Sequence, residues 1–257
     1  MWEKGNNKYL LTFASGNLSL TMQKGQFDFK QFTIRHDRCA MKVGTDGVLL
    51  GAWTEVGQGA ARILDIGTGS GLIAIMLAQK CEAEITGVDI DADAVSQARE
   101  NGAQTPWSQR LHFLQTDVLE YTPACRYDLI VCNPPFFEND LQSSDRKRNA
   151  ARHSESLPFV RLIDKVRELL VPDGRFNVIL PAPTAEAFAQ TAWERGLNLC
   201  GKCAIYTKPG LPPKRILLGL KNGASNYPDT ASLYIYNKVG EYTEEYRRLT
   251  GNYYLRF

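Results

Sequence analysis

No stretch of the 257-residue chain comes near the roughly 18 consecutive apolar positions that a membrane-spanning helix needs. The apolar run YLLTFA near the N-terminus is short, and no small-residue cleavage pattern follows it, so a secretory leader is not expected. The six cysteines lack the dense, regular spacing of a disulfide framework, which points to reduced thiols in a cytoplasmic protein. Cys200 and Cys203 form a C-x-x-C, but no second pair follows at ligand spacing, and no metal is expected. Internal repeats and low-complexity tracts are absent. So is a large charge excess: at a net +2 with 23% charged residues, the totals alone do not announce a nucleic-acid binder.

A length of 257 residues with 44% hydrophobic content is enough for one large domain, or for one domain with appendages. The near-neutral total hides a split. Residues 60–139 carry five basic residues against eleven acidic ones, a net of about −6, which leaves the remainder near +8. Residues 202–221 hold Lys202, Lys208, Lys214, Arg215 and Lys221 with no acid. Residues 24–42 set Lys24, Lys30, Arg35, Arg38 and Lys42 against only Asp28 and Asp37. Solvated surface accounts for either patch alone. Together, two basic flanks around an acidic middle suit a polyanion held beside a site for something cationic.

From residue 62 onward strand patterns alternate with helix patterns. RILDIG (62–67), AEITGVDI (83–90), LHFLQTD (111–117), YDLIVCN (127–133) and RFNVILP (175–181) read as strands. Helices are expected over 70–80, over 91–104 with Asp91 as N-cap, over 156–174 ending at Pro172 and Gly174, and over 184–196 with Thr184 as N-cap and Gly196 past the end. Two further strands, LCGKCAIYTK and KRILLGLK, follow with only PGLPP between them. The pattern predicts an α/β fold: a mostly parallel seven-stranded sheet with an antiparallel terminal hairpin and helices on both faces. Residues 1–20 read as a tail and 21–257 as one domain, divided into a lead-in (21–61), a core (62–221) and a C-terminal appendage (222–257). The appendage contains EYTEEYRRLTGNYYLRF, which starts as a helix.

In such sheets ligands bind beyond the carboxyl ends of the strands. The first strand ends in DIGTGSG, where Asp65 precedes Gly67, Gly69 and Gly71. Glycines let backbone approach a ligand closely, although a tight strand–helix turn needs them too, and Leu72 stands where the dinucleotide fingerprint has its last glycine. The second strand ends at Asp89, 22 positions after Gly67, the spacing of an acid that binds ribose hydroxyls. The third ends at Asp117, able to accept from an exocyclic adenine amine. The three sites together describe an adenosine-bearing ligand, and a sulfonium cofactor suits the acidic middle segment.

The fourth strand breaks off at Asn133-Pro134-Pro135-Phe136. Glycine loop, acidic strand end and this tetrapeptide, in this order, resemble the class I S-adenosylmethionine-dependent methyltransferases with an [Asn/Asp]-Pro-Pro-[Tyr/Phe] signature, which methylate planar nitrogen. The resemblance covers residues 62–221 and implies a Rossmann-like fold. The residue types make chemical sense. An adenine N6 lone pair is delocalised into the ring. The Asn133 side-chain oxygen and the Pro134 carbonyl can each accept one N–H of that amine, leaving the nitrogen free to pyramidalise toward a methyl donor. Phe136 offers a face to stack the base.

The signature alone leaves adenine N6, cytosine N4, guanine N2 and glutamine amides open. The lead-in FDFKQFTIRHDRCAMKVGTDGVLLGAW (27–53) and the later LPPKRILLGL resemble the bacterial methyltransferases that modify adenine N6 just 3′ of the anticodon in valine tRNA. That resemblance implies a tRNA substrate and places Lys42, Thr45 and Asp46 beside the cofactor. The loop DRKRNAARHS offers Arg146, Lys147, Arg148 and Arg152 as candidates for phosphate contact, with Lys214 and Arg215 of the basic hairpin, although a solvated loop has the same composition. His36 and His153 are candidates for substrate contact, although single histidines are more often structural. The alternative substrates are guanine N2 of rRNA and a glutamine amide of a release factor. A release-factor enzyme usually has a helical N-terminal domain, and a DNA adenine methyltransferase needs a target-recognition insert; neither is evident.

Overall fold

The computed structural model describes residues 25–134, 159–226 and 229–257. Pro135, Phe136, Arg146, Lys147, Arg148, Arg152 and His153 lie outside the described residues, as do residues 1–20.

Strand β3 (Arg62–Ile66) lies inside an eight-stranded sheet, third from one edge. On one side it pairs in parallel with β4 (Glu84–Asp89), which pairs with β5 (Leu111–Gln115). On the other it pairs in parallel with β6 (Tyr127–Cys132), and β6 with β7 (Leu170–Pro181). Strand β9 (Arg215–Lys221) then runs antiparallel between β7 and β8 (Asn198–Tyr206). These are the seven expected strands. An eighth, β10 (Asp229–Tyr234), extends the sheet in parallel beyond β8. A two-stranded hairpin, β1 (Gln26–Asp28) with β2 (Thr33–Arg35), precedes them.

Side-chain alternation along the strands builds two cores, one per face. Ile63, Ile85, Leu129, Val131 and Ile179 face helices α1 (Thr45–Trp53), α2 (Leu72–Ala78) and α3 (Ala92–Ala103). Leu64, Ile66, Val88, Ile130, Cys132 and Val178 face α4 (Phe159–Leu169) and α5 (Ala182–Glu194). The first core also takes in Phe29 and Phe32 of the lead-in and Tyr246 and Tyr253 of the appendage, so both flanks are built onto the same face. The last helix, α6 (Glu244–Thr250), supplies Tyr246, and the Thr243 hydroxyl accepts its amide as N-cap.

Two expected boundaries move. Helix α4 ends at Leu169, not near Gly174, because Pro172 disfavours helical backbone at Val171. Leu170 is already in β7, and VPDG is taken up there: Asp173, at φ 64°, donates its amide to Asn222, and Asn222 returns one to Gly174. Helix α5 begins at Ala182 with Pro181 at the N-cap and Pro183 within its first turn. Thr184 is thus inside the helix, its hydroxyl donating back to the Pro181 carbonyl at 3.0 Å. Gly196, at φ 85°, terminates α5 as expected, with Leu197 N–H returning to Ala192.

Candidate active site

Strand order reverses between β3 and β6: the chain passes from β3 to β4 on one side and returns to β6 on the other. Such a switch point opens a crevice at the carboxyl ends of the strands. Register places Ile66 opposite Cys132, so Gly67 and Asn133 leave the sheet side by side. Register also sets Asp89 opposite Gln115, and Thr116 N–H donates to the Asp89 carbonyl at 2.9 Å. The ends of β3, β4, β5 and β6 therefore form one rim.

A cavity of about 1030 Å³ opens along this rim. Gly67, Thr68, Gly69 and Ser70 line it, with Asn133 and Pro134 beside them. Lys42, Thr45 and Asp46 of the lead-in border it, as do Lys214 and Arg215. Four tyrosines of the appendage, Tyr236, Tyr242, Tyr246 and Tyr254, complete the lining.

The glycine loop is fixed from below and open above. Gly67, Gly69 and Gly71 all have positive φ, a region that side chains with a Cβ avoid. A Cβ built at Gly67 or Gly69 meets nothing within 4 Å, so the loop faces open space there. Gly71 differs: its Cβ would press on Phe113 and Ala98, so this glycine serves helix–strand packing. Asp65 sits beneath, fully buried, with one carboxylate oxygen accepting from the Thr68 hydroxyl (2.7 Å) and Ala74 N–H (3.2 Å). Its other oxygen is buried with no partner. Asn101, also buried, ties the loop to the lead-in: its amide donates to the carbonyls of Ser70 and Arg35, and its oxygen accepts Arg35 N–H.

Asp89 and Asp117 stand on the rim outside the cavity lining. One Asp89 oxygen accepts Gly69 N–H at 2.9 Å and the other accepts Asp91 N–H at 3.0 Å. Asp117 is exposed, with one oxygen accepting Leu119 N–H. Ile90, next to Asp89, is 71% exposed, an apolar side chain beside two carboxylates that the sequence did not single out. Arg215 is held by Asp46 in a 2.8 Å ion pair, which ties β9 to the first turn of α1 at the cavity wall. His36 is buried in the lead-in, where its Nδ1 accepts Val43 N–H. Among the described residues no cluster of three or more His, Cys, Asp or Glu could hold a metal, and no helix is long and apolar enough to cross a membrane.

Burial, and then the nearby Asp89 charge, raises the Asp65 carboxyl to about 7, against an ordinary 3.8, although its two hydrogen bonds pull it down. The folded chain therefore keeps this proton where the unfolded chain has lost it. The resulting stability is fully present below about pH 4 and is lost as pH rises through 7, at most roughly 4 kcal/mol. Melting temperatures of the ligand-free protein are expected to fall across that window, with a shallower fall in Asp65→Asn. Parallel curves for the two proteins would remove Asp65 as the cause.

Comparisons with known proteins agree with this geometry. The profile of the methyltransferase small domain matches residues 47–185. A tRNA1(Val) (adenine(37)-N6)-methyltransferase of Phocaeicola vulgatus is 48% identical over 235 residues, covering 91% of this chain and 99% of that protein. The enzyme of the same name from Serratia proteamaculans is 42% identical over 250 residues, covering 96% of each. Among solved structures, a predicted O-methyltransferase of Agrobacterium tumefaciens aligns over 81% of this chain and 96% of its own, with a TM-score of 0.63 at 20% identity, which establishes the shared fold. A rim of glycine loop, acidic strand ends and Asn-Pro, on a chain that matches these relatives almost end to end, places the protein in the methyltransferase small domain family and, within it, among the tRNA1(Val) (adenine(37)-N6)-methyltransferases.

Proposed function

We propose that the chain transfers a methyl group from S-adenosylmethionine to the N6 amine of an unpaired adenine in valine tRNA, the one just 3′ of the anticodon, in the cytoplasm. The observation that carries this reading is the convergence of Asn133 and Pro134 with the glycine loop in one cavity.

The residues present fit the cofactor. The open space over Gly67 and Gly69 is a cradle that side chains would fill. Asp89 spends two of its roughly four acceptor sites on backbone, leaving the others for ribose hydroxyls. Ile90 offers an apolar face to adenine, and Asp117 an acceptor to its amine. Asp65 braces the loop from below through the Thr68 hydroxyl and Ala74 N–H, which holds the cradle open for the ligand. When bound, the cofactor supplies an electrophilic methyl on a sulfonium.

The chain's own part in the chemistry is orientation. The Asn133 side-chain oxygen and the Pro134 carbonyl each accept one N–H of the target amine, which frees the nitrogen to pyramidalise and would present its lone pair to the methyl of a bound cofactor. Asn133 is neutral and acts as a positioner. The methylated nitrogen is acidic and gives its proton to water. Phe136, two residues further on in the sequence, stacks the target base. A base within a duplex is out of reach, so the target is unpaired or flipped out.

Labelled methyl transfer to unmodified bulk tRNA, rRNA, DNA and release factor tests the proposal. Incorporation is expected in tRNA alone, mapping to N6 of the adenine 3′ of the anticodon. Incorporation confined to the release factor or to rRNA would overturn it.

A further inference from the structure

The cavity reaches the upper end of the roughly 300–1,000 Å³ of a single small-ligand site, and its walls change character away from the glycine loop. On the far side the lining is aromatic and basic. Tyr236, Tyr242 and Tyr246 form a continuous stack, with ring centroids 4.9 Å and 5.2 Å apart and interplanar angles of 28° and 13°. The inner ring, Tyr246, is buried in the core; Tyr236 and Tyr242 are half-buried at the cavity. Lys214 and Lys42 line the same cavity and are exposed.

The outer ring, Tyr236, and the middle ring, Tyr242, are held in place by backbone. Tyr236 and Tyr242 face each other across an antiparallel bridge. The turn between them is closed by Asn237, whose side-chain oxygen accepts the amides of Val239 and Glu241 while its own amide donates to the Glu241 carbonyl. Tyr236 N–H donates to Thr207 at 3.0 Å, which ties the stack to the strand end that leads toward Lys214. A stack of fixed rings that shares its cavity with a cation is the chemistry that receives a nucleotide of an unpaired strand: the outer ring takes the base and the lysine its phosphate.

Resting on the function proposed above, we infer that Tyr236 and Tyr242, with Lys214, form a second nucleotide subsite that stacks the base adjacent to the target adenine. The target then enters the site at Asn133 already anchored by its neighbour.

The test uses the full chain with a synthetic anticodon stem-loop of valine tRNA, intact or abasic at a position next to the target. Tyr236→Ala, and Tyr236→Leu as a better-packed second variant, are expected to raise the Kd for the intact stem-loop by roughly 5- to 150-fold, the range for loss of one base–aromatic stack. KM for RNA rises with it, kcat at saturating RNA changes less than about threefold, and the Kd for S-adenosylmethionine stays at the parent value. Tyr236→Phe, which keeps the ring, restores tight binding. An abasic site at the neighbouring position costs the parent a similar factor and costs Tyr236→Leu nothing more. If abasic RNA weakens parent and variants equally while the parent still methylates the intact loop, the subsite is wrong and the function stands. If the parent neither binds nor methylates the intact loop, the function and the subsite fall together.

Discussion

Replacing Asn133 by alanine is expected to lower turnover by about two to three orders of magnitude while leaving cofactor affinity unchanged. That loss corresponds to roughly 2.7–4 kcal/mol of transition-state stabilisation, the typical effect of deleting one preorganised polar group. The amine must lose its conjugation with the ring before its lone pair can reach the methyl carbon. Alanine removes one of the two acceptors that hold it in that geometry, and Pro134 alone leaves the amine free to rotate back into the plane. The fold tolerates the change, since Asn133 follows the last paired residue of β6 and Cys132 keeps its partner Ile66. The cofactor cradle is built from other strands. Asn133→Asp retains an acceptor and is expected to keep more activity than Asn133→Ala. Single-turnover rates at saturating S-adenosylmethionine and tRNA decide the matter. Equal rates for Asn133→Ala and the parent would refute the positioning role.

The strand ends were legible in the sequence because each carries its chemistry at the point where an apolar run stops. RILDIG, GVDI and LIVCN end where the buried strand ends, so Asp65, Asp89 and Asn133 were placed without knowing how the strands pair. Local pattern did not show what they share a rim with; Lys42, Thr45 and Asp46 were placed there by resemblance alone, and the tyrosines not at all. Helix α1 is buried from Gly47 to Ala52 on all sides, so its apolar residues show no helical period. Strand β10 has only Leu233 buried, and a strand without alternation leaves no signal. The tyrosines of the appendage reach the cavity through long-range pairing, including an antiparallel bridge between Phe29 and Tyr254. Local pattern cannot encode such pairing. The polar Asn101 looks like helix surface in the sequence; only the register of lead-in and loop gives its amide three backbone partners. The basic flanks also proved less uniform than their composition suggested. Arg38 pairs with Glu100, Lys221 with Asp173 and Arg215 with Asp46, while Lys42 and Lys214 line the cavity.

At Asp89 the expected defect is the reverse of that at Asn133: Asp89→Asn raises KM for S-adenosylmethionine by about two orders of magnitude and changes kcat little once cofactor saturates. The carboxylate holds two backbone N–H groups, Gly69 on one oxygen and Asp91 on the other, and both oxygens keep acceptor capacity for hydroxyls. An amide of the same shape has one acceptor and one donor. Whichever way it turns, its NH₂ group faces either Gly69 N–H or Asp91 N–H, so one backbone contact becomes donor against donor. A charge-assisted bond to a ribose hydroxyl is lost as well, worth roughly 1.5–3 kcal/mol. Tenfold per 1.4 kcal/mol, loss of that bond together with partial release of the glycine loop gives the predicted factor. The loop is the sensitive element, since Gly69 takes its backbone course with nothing packed above it. Because Asp89 lies outside the cavity lining while Asn133 lies within it, the two substitutions separate cofactor binding from amine alignment. Cofactor titration by calorimetry, paired with rates at saturating cofactor, reads both. A variant that binds S-adenosylmethionine as tightly as the parent would show that Asp89 only braces the loop and that the ribose is held elsewhere.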